Sequence, residues 1–317
     1  NSISHCEQAG IVGSLGAVIS RITGNVIHDI HVRRLFSGAE MAGIKIHAAI
    51  DCEISGNRIF RTCRGLWMDW MAQGTRITRN LCYSNASEDL FVEVDHGPYL
   101  VDNNLFLSSV SLLDMSQGGA FAHNLWTGRI ISTEEPGRLT PYHPPHETAM
   151  AGLRSIQGGD NRYYNNIFVG NGDVTIQPPG ANDRHRRVSG YGLAVYDLRA
   201  LPTQAAGNIY LHGAKPHAQE TSALVLERTN PGVQVVDEGD RVFLRLAAIP
   251  EARAASAGLV TTERLGKALV SGARYENADG SPLAVDVDYR GARRDRARPA
   301  AGPFESLGTG SLDIRVW

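Results

Sequence analysis

The chain has 317 residues, of which 42% are apolar and 20% charged, an ordinary balance for a globular protein of one large domain or two smaller ones. A formal net charge of −2 gives no reason to expect a nucleic-acid or membrane partner, and no run of 18 apolar residues offers a spanning helix. Cysteines 6, 52, 63 and 82 form no CxxC pair or zinc-ligand spacing, so they are expected to serve as small apolar side chains.

The chain opens "NSISH" with no signal-peptide pattern, as a piece of a longer protein would. The expectation is a soluble protein, in the cytoplasm or exported. One signature then recurs in chain order: "ITGNVIHD" (22–29), "ISGNRIFR" (54–61), "ITRNLCYS" (77–84), "VDNNLFLS" (101–108), "FAHNLWTG" (121–128), "YYNNIFVG" (163–170) and "AAGNIYLH" (205–212). The anchoring residues Asn25, Asn57, Asn80, Asn104, Asn124, Asn166 and Asn208 are spaced by 32, 23, 24, 20, 42 and 42. The shorter spacings suit one coil of a solenoid, and 42 suits two coils or one coil with a long excursion. Around each asparagine, aliphatic, polar and then apolar–aromatic residues read as strand, tight bend and strand. Asn tolerates left-handed geometry and bonds local backbone, so it suits such bends, and stacked coils would align the amides in a ladder. The LxxLxL frame of a leucine-rich repeat is absent. The expected fold is all-β: a right-handed parallel β-helix over residues 1–215, with a smaller β-rich region, sandwich-like or capping, over 216–317.

In that C-terminal region "GVQVVDEGDRVFLRLAAI" (232–249) alternates like a hairpin, "LAVDVDYRG" (283–291) and "SLDIRVW" (311–317) read as strands, and the residues after Pro250 suggest a short helix. The run Arg293 to Arg298 is expected to be a solvated loop.

Aligning the coils on a second strand stacks "GIKIH" (43–47), "GLWMD" (65–69), "DLFVE" (89–93) and "SLLD" (111–114). Their last residues, His47, Asp69, Glu93 and Asp114, are spaced by 22, 24 and 21, one coil apart. Strand alternation turns Ile44, Ile46, Leu66, Met68, Leu90 and Val92 inward and Lys45, His47, Trp67, Asp69, Phe91 and Glu93 outward. Neighbouring strands lie about 4.7–4.9 Å apart. Asp69 and Glu93 are therefore expected near the roughly 5–5.5 Å of a retaining glycosidase rather than the roughly 6.5–9.5 Å of an inverting one. Two close carboxyls share a proton near neutral pH. Trp67 and Trp70 would supply an apolar wall and a sugar-stacking face, and His47 and Asp114 would bond sugar hydroxyls. The residues alone leave three readings open: a catalytic pair, a calcium site built from oxygen ligands, and a plain polar face.

These stretches are similar to glycoside hydrolase family 120, β-xylosidases on a right-handed parallel β-helix. The resemblance rests on "GAEMAGIKIHAAID" (38–51), "GLWMDWMAQGTRITRN" (65–80), "DLFVEVDHGPYLVDNN" (89–104) and "LLDMSQGGAFAHNL" (112–125), and continues through "TPYHPPHETAMAGL" (140–153) and "GGDNRYYNNIF" (158–168). It covers roughly the first 170 residues well and the rest loosely. It implies a retaining exo-hydrolase that releases xylose from xylo-oligosaccharides without a cofactor. Asp69 of "WMDW" would be the nucleophile, Glu93 of "FVEV" the acid/base, and Glu40 of "AEMAG" a neighbour of the sugar hydroxyls. Members of the family are longer, with further N-terminal coils and a β-sandwich insertion. The resemblance thus implies a missing N-terminal portion or a partner chain that completes the solenoid. Rival readings are a glycosidase for arabinose, fucose or galactose residues, a polysaccharide lyase with Lys45 as its base, and a non-catalytic carbohydrate-binding β-helix.

His143 and His146 in "PYHPPH" lie in the long interval after Asn124, on a stiff loop expected to fold over the outer face and, through His143, contact substrate. His96, three residues after Glu93, is expected to orient the acid/base or line the pocket. Glu135 and Arg138 of the same excursion carry weaker claims. No metal site is expected, because the HxxH is not on a helix.

Overall fold

A computed structural model describes residues 1–35, 40–306 and 308–317. Three parallel sheets run the length of a β-helix, with nine, seven and seven strands. The second sheet stacks Ala9–Gly13, Ala42–His47, Arg64–Asp69, Glu88–Glu93, Val110–Met115 and Arg129–Ser132 in parallel, and ends on the antiparallel strand Val188–Gly190. Ile44, Ile46, Leu66, Met68, Leu90 and Val92 face the interior and join its main apolar cluster. Aromatic rings stack coil on coil inside, as in Phe106–Trp126 at 4.6 Å and Phe168–Tyr210 at 5.1 Å.

The asparagines form the expected ladder. In each, the backbone N–H and the side-chain Nδ2 both donate to Oδ1 of the next asparagine, at 2.9–3.0 Å, from Asn25 through to Asn208. Asn208 donates onward to Glu220 Oε1 at 2.9 Å. Each buried amide is satisfied, which for one hydrogen bond contributes about 1 kcal/mol. The left-handed residue of the bend is not the asparagine but the one before it. Gly24, Gly56, Arg79, Asn103, His123, Asn165 and Gly207 have φ between 55° and 73°. The asparagine is required for its side chain, not for its backbone.

Both intervals of 42 are single coils with an excursion. The first leaves after Arg129–Ser132 as a hairpin, Glu135–Tyr142 paired with Gly152–Ile156, and returns at Arg162–Tyr164. The second leaves after Ile167–Val169 and returns at Val188–Gly190.

Leu224–Leu226 adds a last strand to the first sheet. Beyond it, Gln234–Asp237, Val242–Ala247 and Ser311–Arg315 make a small antiparallel sheet. Its Val242, Leu244, Leu246 and Ile314 pack on Leu81, Leu105, Leu125, Ile167 and Ile209 of the first sheet. Val260, Leu265, Tyr275, Leu283 and Val285 cover Leu100, Ala120, Ala122 and Tyr164 of the third. The expected strand at 283–291 is absent and only isolated bridges occur there, because these residues lie along another sheet's side chains rather than at a sheet edge. The short helix is Thr262–Leu265, capped by the Thr261 side chain. Arg294 departs from the solvated-loop expectation. It is buried and donates to Asn103 Oδ1 at 2.6 Å and to Glu305, tying the wrap to the solenoid. Cys52 and Cys82 are buried, Cys6 and Cys63 partly so, and all four are free. No helix among the described residues is long and apolar enough to cross a membrane. With the first and third sheets covered, the outer face of the second sheet is left to carry chemistry.

Candidate active site

On that face the register pairs His47 with Asp69 and Asp69 with Glu93. Lys45, Trp67 and Phe91 form the row beside them. A carboxylate buried as deeply as Asp69 needs a compensating partner. Lys45 supplies it. Its ammonium lies 2.8 Å from Asp69 Oδ2 and 2.6 Å from Glu40 Oε2, and 4.4 Å from the centre of the Trp67 ring. His47 Nε2 is 2.9 Å from the same Asp69 oxygen and 3.1 Å from Lys45 Nζ. Lys45 and His47 thus both lie against Oδ2, while Oδ1 has no hydrogen-bond partner among the described residues. Two further buried atoms nearby are also unpartnered there, His47 Nδ1 and Trp70 Nε1. Orphaned polar atoms gathered at one spot are the mark of a site that binds something.

Glu93 has a different environment. Burial and the neighbouring Asp69 carboxylate push its pKa up to about 7, while the Trp67 N–H and Arg138 pull against that shift. Trp67 Nε1 donates to Glu93 Oε2 at 3.0 Å, and Arg138 Nη1 lies 3.7 Å from Oε1. One acid is thus braced by cations with a bare oxygen, and its neighbour is poised to hold a proton near neutrality.

Exposure rises in one direction across this face. Side-chain exposure is 1% at Lys45, 8% at Asp69, 19% at Glu93 and 43% at Arg138. Arg138 stands on the hairpin strand Glu135–Tyr142, with its guanidinium 5.3 Å from the centre of the Trp70 ring. The floor of the site is built from the second sheet and its rim from the first excursion.

Glu40, His47 and Trp67 therefore sit with Asp69 and Glu93, and Trp70 stands on the rim. Gly38 and Ala39 of the Glu40 motif lie outside the described residues. Trp67 departs from its expected use as a stacking platform. Its ring is packed against Lys45, Arg64 and Phe91, so it serves as a wall and a hydrogen-bond donor.

Three expected residues are not brought to the pair. Asp114 pairs with Val92, and Glu93 pairs with Met115. The slip of one residue turns Asp114 into the solenoid, where Ser116, Asn161 and Tyr196 satisfy it. His96 is buried beneath the hairpin. Its Nε2 faces Thr140 O and Oγ1 at 3.1 and 2.9 Å, and its Nδ1 accepts from Gln117 at 2.8 Å. Burial pulls its pKa down to about 4, so it is a neutral staple for the hairpin root. His143 is held by Gln73, through both its backbone N–H and C=O, and by Ala149 O. His146 pairs with Asp51 at 3.0 Å.

Two contributors escaped the sequence reading. Lys45 is legible in the sequence as an outward residue and as a lyase base, but not as the partner of Asp69 and Glu40, although its position on the same face as His47 and beside Trp67 is the available signal. Asp95 is fully buried, and its Oδ1 accepts from Ala72 N–H at 2.6 Å, which fixes the bend after Asp69. Burial and the adjacent acids push its pKa well above the carboxylate range. Among the described residues no cluster of three or more His, Cys, Asp or Glu is arranged to hold a metal ion. A separate cavity of about 460 Å³ lies between the third sheet and the C-terminal wrap, lined by Asp51, Arg76, Tyr99 and Glu276 among others.

No family model and no curated protein matches this chain. Among solved structures it is similar to one described as the complex structure of XylC with xylose, at 37% identity and a TM-score of 0.90. The match covers 100% of this chain and 51% of that one, so the chain spans about half the length of the protein it matches.

Proposed function

We propose that this chain carries the catalytic face of a retaining exo-β-xylosidase that releases xylose from xylo-oligosaccharides. The observation that carries the reading is the contrast between two acids on adjacent strands. Asp69 has a free Oδ1 and a braced Oδ2, while Glu93 has a pKa near 7. In the first step Asp69 Oδ1 attacks the anomeric carbon and Glu93 gives its proton to the departing glycosidic oxygen. In the second, Glu93 as carboxylate takes a proton from water, whose oxygen displaces Asp69 and frees the sugar. Glu40, His47 and Trp70 Nε1 bond sugar hydroxyls. The match to a xylose-bound protein supports xylose as the sugar. The lyase reading loses support because Lys45 is committed to two carboxylates rather than free as a base. A calcium site is disfavoured for the same reason: a cation already occupies Asp69 Oδ2.

The test is hydrolysis of p-nitrophenyl β-xyloside beside other nitrophenyl glycosides, with azide added to two variants. Asp69→Gly with azide should yield α-xylosyl azide, formed from the vacated face, and Glu93→Ala with azide should yield β-xylosyl azide. Exchanged stereochemistry would reverse the two roles. Silence of the wild type on every sugar would overturn the reading.

A further inference from the structure

Glu93 divides the site. In the proposed reaction the sugar lies on its Asp69 side and the leaving group departs past its other side, where exposure rises and Arg138 approaches Trp70. Arg138 is not spent on holding the fold. Among the described residues its carboxylate neighbour is Glu93 at 3.7 Å, too far for a hydrogen bond, and its guanidinium carbon lies 5.3 Å from the centre of the Trp70 ring. The acids closest in sequence are engaged elsewhere. Glu134 pairs with Arg199 at 2.9 Å, and Glu135 pairs with His185 at 3.3 Å and Arg184 at 3.5 Å. The rim on the leaving-group side thus carries the Arg138 guanidinium, whose fork of N–H donors makes no hydrogen bond among the described residues and whose neighbouring carboxylate lies beyond hydrogen-bond reach.

We infer that Arg138 is a specificity-determining residue that receives a carboxylate on the leaving group, so that the substrates favoured here are β-xylosides whose departing portion bears an acidic substituent such as a uronic acid. This rests on the proposed xylosidase reading and extends it to the leaving-group side. The Arg–carboxylate pair would form at a half-exposed position, where such pairs are modest and weakened by salt.

The test compares 4-carboxyphenyl β-xyloside with its neutral isostere, 4-carbamoylphenyl β-xyloside. The ratio of their kcat/KM values is taken for wild type, Arg138→Lys and Arg138→Met, at low and high salt. Comparing ratios between variants cancels the intrinsic difference between the two leaving groups. Arg138→Met should lower the ratio by roughly fivefold. Arg138→Lys should lower it less, and high salt should shrink the wild-type ratio towards that of the Met variant. A ratio unmoved by substitution or salt overturns the inference and leaves the xylosidase reading standing. So does a Met variant that alters only the pH profile, equally on both substrates, since Arg138 then acts solely through Glu93. Should neither xyloside be hydrolysed, calorimetric binding of the two separates the failures. Tighter binding of the carboxylate, lost in Arg138→Met, keeps the inference while the catalytic reading falls. Equal or absent binding overturns the inference.

Discussion

Lys45 Nζ and Asp69 Oδ2 lie 2.8 Å apart, and the lysine is almost fully buried. The same ammonium holds Glu40 at 2.6 Å, so one buried cation serves two acids of the site. Lys45→Met would take the buried cation from both carboxylates and leave His47 as the remaining neighbour of Asp69. The expected result is a loss of about 3 kcal/mol in stability by urea denaturation. A fall of at least about a hundredfold in kcat/KM should accompany it, because Asp69 loses its main electrostatic brace. A variant as stable and active as wild type would show that His47 alone suffices.

In the proposed reaction Glu93 sets the alkaline limb of activity. It must hold its proton to assist the leaving group, so kcat/KM should fall as pH rises through about 7. The Trp67 N–H favours the charged carboxylate and holds the pKa down. Trp67→Phe should therefore move that limb to higher pH while keeping an aromatic wall. A shift to lower pH would contradict the assignment of Glu93 as the acid.

His96 makes the hairpin acid-sensitive. Its pKa is depressed from 6.5 to about 4, so folding favours the neutral ring. The stability it contributes is complete above pH 6.5 and is lost as pH falls through 4, up to about 3 kcal/mol. In His96→Gln the midpoint of urea unfolding should depend less steeply on pH across that window. Because His96 and Gln117 anchor Thr140, Ser155 and Gln157, hydrogen exchange in the hairpin should quicken in the same variant.

Arg294→Ala should loosen the C-terminal wrap. The buried guanidinium donates to Asn103, Ala300, Gly302 and Glu305. Its removal takes the donor from buried Asn103 Oδ1 and leaves Glu305 with Arg253 as its cation, which should cost about 2 kcal/mol, read by thermal unfolding. None of these partners belongs to the second sheet, so kcat/KM at low temperature should stay near that of wild type.

The coils could be read from the chain because their determinants are local and repeat: one asparagine per turn, and apolar residues alternating along "GIKIH", "GLWMD" and "DLFVE". The Asp69–Glu93 pairing followed from that period alone. Asp114 could not be placed this way. It ends a stretch resembling the others, yet its partners Asn161 and Tyr196 lie 47 and 82 residues away, and only they make an inward acid tolerable. The same holds for Arg294, whose partner Asn103 is 191 positions distant. Arg138 reaches Glu93 only because a hairpin folds back, and no periodicity announces where a hairpin lands.

The asparagine ladder joins coils separated by 20 residues and by 42 with bonds of the same length. The scaffold therefore registers turns, not chain length. Material can be spliced between rungs without the rungs noticing, and the first excursion, which brings Arg138 to the rim, is one such splice. The cleft and its framework are then free to diverge at separate tempos. The rim can change by rewriting a loop, while the pair of acids stays where the stacking of turns has set it.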